Sequence, residues 1–222
     1  MIKLMTWGYF KKLVIADVFA ITVNTLYDNV YSYVGLAFII VTVMFAIEIY
    51  CDFSGYSDIA IGCAKLFGID LMTNFKSPYY SFSIKEFWSR WHISLSTWFR
   101  DYVYIPLGGN RVPKWRHMLN LLLTFLVSGF WHGSTITYIV WGALHGLLQI
   151  IETLICPKGK PRKKHFIMLP VTFILLCFTW IFFRANSIQD ALWVISRLFW
   201  DASRPLNYLK TAAICQPISY YK

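Results

Sequence analysis

The chain has 222 residues, of which 57% are hydrophobic, 19% aromatic and only 14% charged, with a mean hydropathy of +0.50. Soluble domains carry nearer ~25% charge, so this composition reads as an integral membrane protein. A net charge of +10 and a pI near 9.4 would suggest nucleic acid in a soluble chain. Here the bases sit in short loops between apolar runs and no nucleic-acid module accompanies them, so lipid headgroups and the positive-inside rule account for them instead.

In chain order, Leu13 to Tyr27 is apolar with Asp17 and Asn24 embedded, and is expected to be a membrane helix with its basic flank at Lys11 and Lys12. No small-residue cleavage site follows it, which argues against a signal peptide. Val34 to Ile47 is uncharged and continues through Glu48 to Cys51, long enough to span. The character then changes: Asp52-Phe53-Ser54-Gly55-Tyr56-Ser57-Asp58 sets two carboxylates, two hydroxyls and a glycine at the end of that span. Gly55 permits a tight bend or a close backbone approach. The polar residues fit either local caps or a direct role in a reaction cavity. Ile59 to Phe67 is expected to be a separate short helix ending near Gly68.

Ser83-Ile84-Lys85-Glu86 has the form of a capping box. The helix it should start is amphipathic, with Ile84, Phe87, Trp88, Trp91, Leu95, Trp98 and Tyr102 on one stripe and Lys85, Ser89, His92, Ser96 and Arg100 on the other. Such a helix suits the membrane interface. His92 is then either an ordinary polar-face residue or part of a cavity lining. Tyr104 to Arg111 ends the helix in a glycine turn.

Three further spans are expected, from about His117 to Trp131, Thr135 to Ile151, and Phe166 to Phe183, the last broken by Pro170. The loops Arg111–Arg116 and Lys158–Lys164 would be cytoplasmic, with Lys11 and Lys12 and residues 52–115 on the same side. That count puts His132 near the outer surface, although its turn is short enough to lie within the membrane. Ser134 to Ile151 is a run of eighteen residues without Asp, Glu, Lys or Arg, yet it holds His145. Tyr138, Trp141, His145, Gln149 and Glu152 fall on one helical face, which should look into the protein or a cavity. Ionisable groups at membrane depth mark pathways or reaction centres, and a neutral imidazole can act as a base. The five cysteines form no CxxC and no metal spacing, and read as small packing residues.

Tyr50-Cys51-Asp52-Phe53-Ser54-Gly55-Tyr56-Ser57-Asp58 with Ile59 to Gly62, Phe87-Trp88-Ser89-Arg90-Trp91-His92-Ile93-Ser94-Leu95-Ser96-Thr97-Trp98, and Phe99-Arg100-Asp101-Tyr102 closely resemble the membrane-bound O-acyltransferase family. Pro106 to Arg111 and Trp131-His132-Gly133 are similar to its bacterial alginate O-acetylation branch; the teichoic-acid D-alanylation branch shares the Trp91–Ser96 block. The resemblance implies an all-α polytopic membrane protein. About five transmembrane helices, with amphipathic or re-entrant helices, would surround a funnel or tunnel in one membrane-embedded domain over residues 1–222, with a motif-bearing core at 48–152. It implies transfer of an acetyl group from a thioester donor, expected to be acetyl-CoA, to hydroxyls of an exported polysaccharide such as alginate. No cofactor or metal is expected to be bound.

By the same resemblance His132 is the membrane-embedded catalytic histidine and His92 the second. Asp52, Ser54, Tyr56, Trp91, Arg100, Trp131, Tyr138, Trp141 and His145 are candidates to line the cavity. Membrane lipids, the polysaccharide acceptor and a separate extracytoplasmic acetyltransferase are the implied partners, at the cell (inner) membrane. Family members of this branch are about twice this length, so the chain is expected to be an internal fragment, a truncated gene model or a degraded copy. A competing class is a conduit in which His132 and His145 gate a pathway; another is a structural subunit of a polysaccharide-modification complex.

Overall fold

The computed structural model describes residues 1–33, 35–155 and 165–198; the basic cluster Lys158–Lys164, Cys156 and Cys215 lie outside them. The described residues are helical, with no strand among them. They divide into two compact units, one of Met1–Phe67 with the chain from Arg184 onward and one of Gly68–Phe183.

The first unit opens with α1 (Ile2–Tyr9), a π-helical segment π1 (Phe10–Ala16) and α2 (Asp17–Tyr27), which follow one another without a break. Lys11 and Lys12 therefore lie inside a helical run and do not flank it. The reason is across the helix pair. α3 (Leu36–Leu66) carries the partner charges: Lys11 Nζ contacts Asp58 Oδ2 at 2.7 Å and donates to Ser54 Oγ at 2.8 Å, while Lys12 Nζ reaches Asp52 and, at 2.8 Å, Asp17. Lys11 is only 6% exposed. A buried ammonium persists where a carboxylate and a hydroxyl compensate its desolvation.

α3 is one helix of 31 residues, so the polar run 52–58 does not end a span and 59–67 is no separate helix. Gly55 serves close approach. A Cβ there would lie 2.7 Å from the Gly8 carbonyl oxygen, and one at Gly8 would lie 2.6 Å from that of Gly55. The two backbones touch at this crossing, which brings the lysines against the carboxylates. The unit closes with α9 (Ile188–Arg197), N-capped by Ser187, and Tyr31 donates to Asp190 Oδ1 at 2.9 Å.

In the second unit the capping box forms. Ser83 Oγ accepts from Glu86 N at 3.0 Å, and Glu86 Oε2 accepts from Phe82 N at 2.9 Å, one residue before the usual reciprocal donor. The helix it starts, α4 (Ile84–Trp88), is only five residues long. The long amphipathic helix is interrupted at Ser89–His92, where His92 takes a left-handed φ of +42°, and resumes as α5 (Ile93–Phe99) and a second π segment, π2 (Arg100–Tyr104). The three-and-four spacing survives on both sides of the break, so periodicity alone gave no sign of it.

α6 (Lys114–His132) and α7 (Ile136–Ile155) then pack as a close pair. Gly129 and Gly142 allow it: a Cβ at either would collide with the carbonyl oxygen of Tyr138 or Phe125. α8 (Met168–Arg184) has Pro170 in its first turn, where the missing N–H is no loss, so the proline does not break it. By length and composition, α3 and α7 are long and apolar enough to cross a membrane, and α8 is a shorter apolar helix.

Candidate active site

His132 ends α6, and its ring turns back along the helix: Nδ1 lies 2.7 Å from the carbonyl oxygen of Ser128. A carbonyl only accepts, so Nδ1 carries the hydrogen. In the neutral ring the lone pair is then on Nε2. The ring is held among aromatic edges, with centroids 5.1 Å from Trp131, 5.0 Å from Trp141 and 5.3 Å from Phe183, and 6.4 Å from Tyr138.

His145 is fixed the opposite way. It is 0% exposed, and its Nδ1 accepts from Trp88 Nε1 at 3.2 Å. An indole N–H only donates, so the neutral ring of His145 carries its hydrogen on Nε2. Neither this Nε2 nor the buried Nε1 of Trp141 has a hydrogen-bond partner among the described residues. The Trp141 ring lies 4.9 Å from His145 and 5.0 Å from His132, so one indole separates two imidazoles of opposite tautomer.

The face expected on α7 is the one that turns inward. Trp141, His145 and Gln149 are buried, and Glu152 Oε2 accepts the backbone N–H of Lys85 at 3.1 Å. Trp180 of α8 stacks on Trp141 at 6.1 Å, and Trp91 of the α4–α5 connection lies 5.4 Å from Trp180. Trp91 is therefore a core residue, packed also against Phe87 and Phe75. Trp131 is largely exposed and meets Phe99 edge-on at 6.4 Å.

His92 is half-buried in the α4–α5 connection, with Ser94 Oγ 3.4 Å from its Nδ1 and Phe75 stacked at 6.5 Å. Burial, and secondarily the neighbouring His132, lower its pKa to about 4, so the ring is neutral at physiological pH. A left-handed non-glycine residue costs of order 1 kcal/mol, and such strain clusters at functional sites.

Beside these groups is a cavity of about 150 Å³ lined by Trp88, Leu95, Phe99, Leu121, Phe125 and Ser128, with Arg100 at its margin. Arg100 also holds Asp101, Nε to Oδ1 at 2.7 Å. The second unit thus brings together His92, Arg100, Trp131, His132, Tyr138, Trp141 and His145. Asp52, Ser54 and Tyr56 belong to the first unit, where Asp52 and Ser54 are bound by Lys12 and Lys11 and Tyr56 is largely exposed. Trp88 and Ser128 were not among the residues expected at the site. An indole in an apolar stripe and a serine carbonyl carry no signal until the helix is folded.

Apolar helices holding neutral, hydrogen-bond-oriented histidines define a membrane-type site for acid–base chemistry. The chain belongs to the MBOAT, membrane-bound O-acyltransferase family, whose model matches residues 1–189. It is 46% identical over 184 residues to the probable alginate O-acetylase AlgI of Pseudomonas fluorescens, covering 83% of this chain and 37% of that one. It is 42% identical to the protein of the same name from Pseudomonas syringae pv. tomato, over 93% of this chain and 40% of the relative. It is also 42% identical to the peptidoglycan O-acetyltransferase of Helicobacter pylori, over 96% of this chain and 43% of the relative. The chain therefore spans about two-fifths of the length of these relatives.

Proposed function

We propose that the protein to which this chain belongs is a membrane O-acyltransferase that moves an acetyl group from a thioester, acetyl-CoA, to hydroxyls of an exported cell-surface polysaccharide. The single observation that carries the mechanism is the hydrogen bond from His132 Nδ1 to the Ser128 carbonyl oxygen, which leaves Nε2 free to take a proton. A sugar hydroxyl is a poor nucleophile until its proton leaves as the new bond forms. In this reading the hydroxyl oxygen bonds to the thioester carbonyl carbon while its proton passes to His132 Nε2. The C–S bond then breaks, and the proton passes from His132 to the departing thiolate. The aromatic ring of contacts around His132 keeps the imidazole oriented and limits water.

His92, neutral and rigidly placed, positions donor or acceptor. The relatives' names support a polysaccharide or peptidoglycan acceptor. We assign the five apolar helical runs, residues 2–27, α3, α6, α7 and α8, as spans of a multi-pass protein of the inner membrane. A separate extracytoplasmic acetyltransferase completes delivery to the polymer.

The test uses membranes containing the full-length protein and acetyl-labelled CoA, with and without His132→Ala. Label should enter polysaccharide with the wild type. The variant should lose about 10²–10⁴-fold of that rate with insertion unchanged. Equal transfer by both would remove His132 from the chemistry. His92→Ala should reduce turnover less, and a wild-type rate would make His92 structural.

A further inference from the structure

The cavity beside His132 has a chemistry of its own. Leu121, Thr124, Phe125 and Ser128 recur along one row of α6, and His132 is the next position in that row. Ser128 is common to both: it lines the cavity, and its carbonyl oxygen accepts from the His132 ring. The far boundary is also fixed. Trp88 lines the cavity and is tied by its indole N–H to His145, while the Phe125 ring stacks on His145 at 6.0 Å. A void with walls held on two helices by hydrogen bonding and ring contacts is a shaped receptacle and does not collapse with one side-chain motion.

Its size and lining select what could enter. A volume of about 150 Å³ matches that of apolar cavities known to hold a ligand of ~six carbons. Leu95, Phe99, Leu121 and Phe125 supply apolar walls. A sugar ring placed there would leave hydroxyls without partners, at a cost of about 1–3 kcal/mol each. An aminoacyl group would bring an ammonium into a cavity whose charged lining residue, Arg100, has the same sign.

We infer that this cavity receives the acyl chain of the donor thioester and restricts it to short, uncharged chains. Leu95 of α5 and Leu121 of α6 set the length limit from opposite helices. The inference rests on the acyltransferase reading above and adds to it the acyl class and the residues that choose it.

The experiment offers full-length protein in membranes acetyl-, butyryl-, hexanoyl- and octanoyl-CoA, together with an alanyl thioester, and measures acyl transfer for each. Wild type should transfer the short chains and lose about tenfold or more at octanoyl, with no alanyl transfer. Leu121→Ala and Leu95→Ala should each raise the octanoyl-to-acetyl ratio about tenfold, and Thr124→Leu, which fills the cavity, should lower it. The ratio is internal to one preparation, so partial misfolding does not alter it. Octanoyl transfer by wild type as fast as acetyl, or ratios that stay within about twofold in all three variants, would overturn the inference while leaving the acyltransferase reading intact. Absence of transfer from every thioester by wild type would instead strike the acyltransferase reading itself, and this inference with it.

Discussion

The two units handle polar groups in opposite ways. In the first, Lys11, Lys12, Asp52, Asp58 and Ser54 meet across α3 and satisfy one another. In the second, the polar groups at the centre are neutral rings, His132 and His145, each oriented by a partner that engages only one of its two nitrogens. Charges inside apolar helices are committed to holding helices together. A neutral imidazole costs less to bury and keeps one ring atom available. The difference separates where the chain is fastened from where chemistry can occur, although both regions are rich in residues that a sequence reading would nominate as functional.

The comparison is broken most easily in the first unit. Lys11→Met leaves Asp58 without its cation, and removing one partner of a buried pair costs about 3–5 kcal/mol. Thermal unfolding in detergent should show a large loss of stability. Lys11→Met combined with Asp58→Leu should recover much of it, and a double variant no better than the single would mean that the pair does not couple. In the second unit the corresponding weak point is steric. Gly142→Ala drives a methyl into the Phe125 carbonyl and should cost about 1–3 kcal/mol, with acyl transfer falling further than stability because α6 carries His132. Retained activity at reduced stability would show that the α6–α7 contact does not position the site.

The smallest effect sharpens the contrast through pH. The folded-state pKa of His92, about 4, lies below the ordinary 6.5. Above pH 6.5 the ring is neutral in both folded and unfolded chains and contributes no slope. As pH falls from 6.5 toward 4 the unfolded chain takes up a proton that the folded one refuses, so stability declines, and below 4 the contribution levels off. His92→Gln should flatten the melting temperature over that window; an unchanged slope would assign it to other groups.

Much of the second unit was legible because its signals are local. The capping box, the α7 stripe and the single histidine within an uncharged run all follow from spacings of three and four. What was missed depends on distant partners. Lys11 and Lys12 looked like a boundary because the carboxylates that bury them lie some forty residues on. The polar run at 52–58 looked like a helix end because its carboxylates and Ser54 read as solvent-facing until the first helix covers them. His92 looked like a helical residue because the left-handed turn there uses a histidine where a glycine would have announced it.

The π segment Phe10–Ala16 has a consequence for how this stretch can change over time. A π turn accommodates one residue more than an α turn. Loss of any single residue there would let the helix relax to regular α geometry without unfolding. Everything beyond the deletion would then rotate by about 100° relative to what precedes it. The Gly8 crossing would stay in place while the lysines swung off the α3 carboxylates. Substitutions in this segment can therefore be absorbed one at a time, but a change of length by one residue shifts the register of the whole contact, so the spacing between Gly8 and the lysine pair is under tighter constraint than the identity of the residues between them.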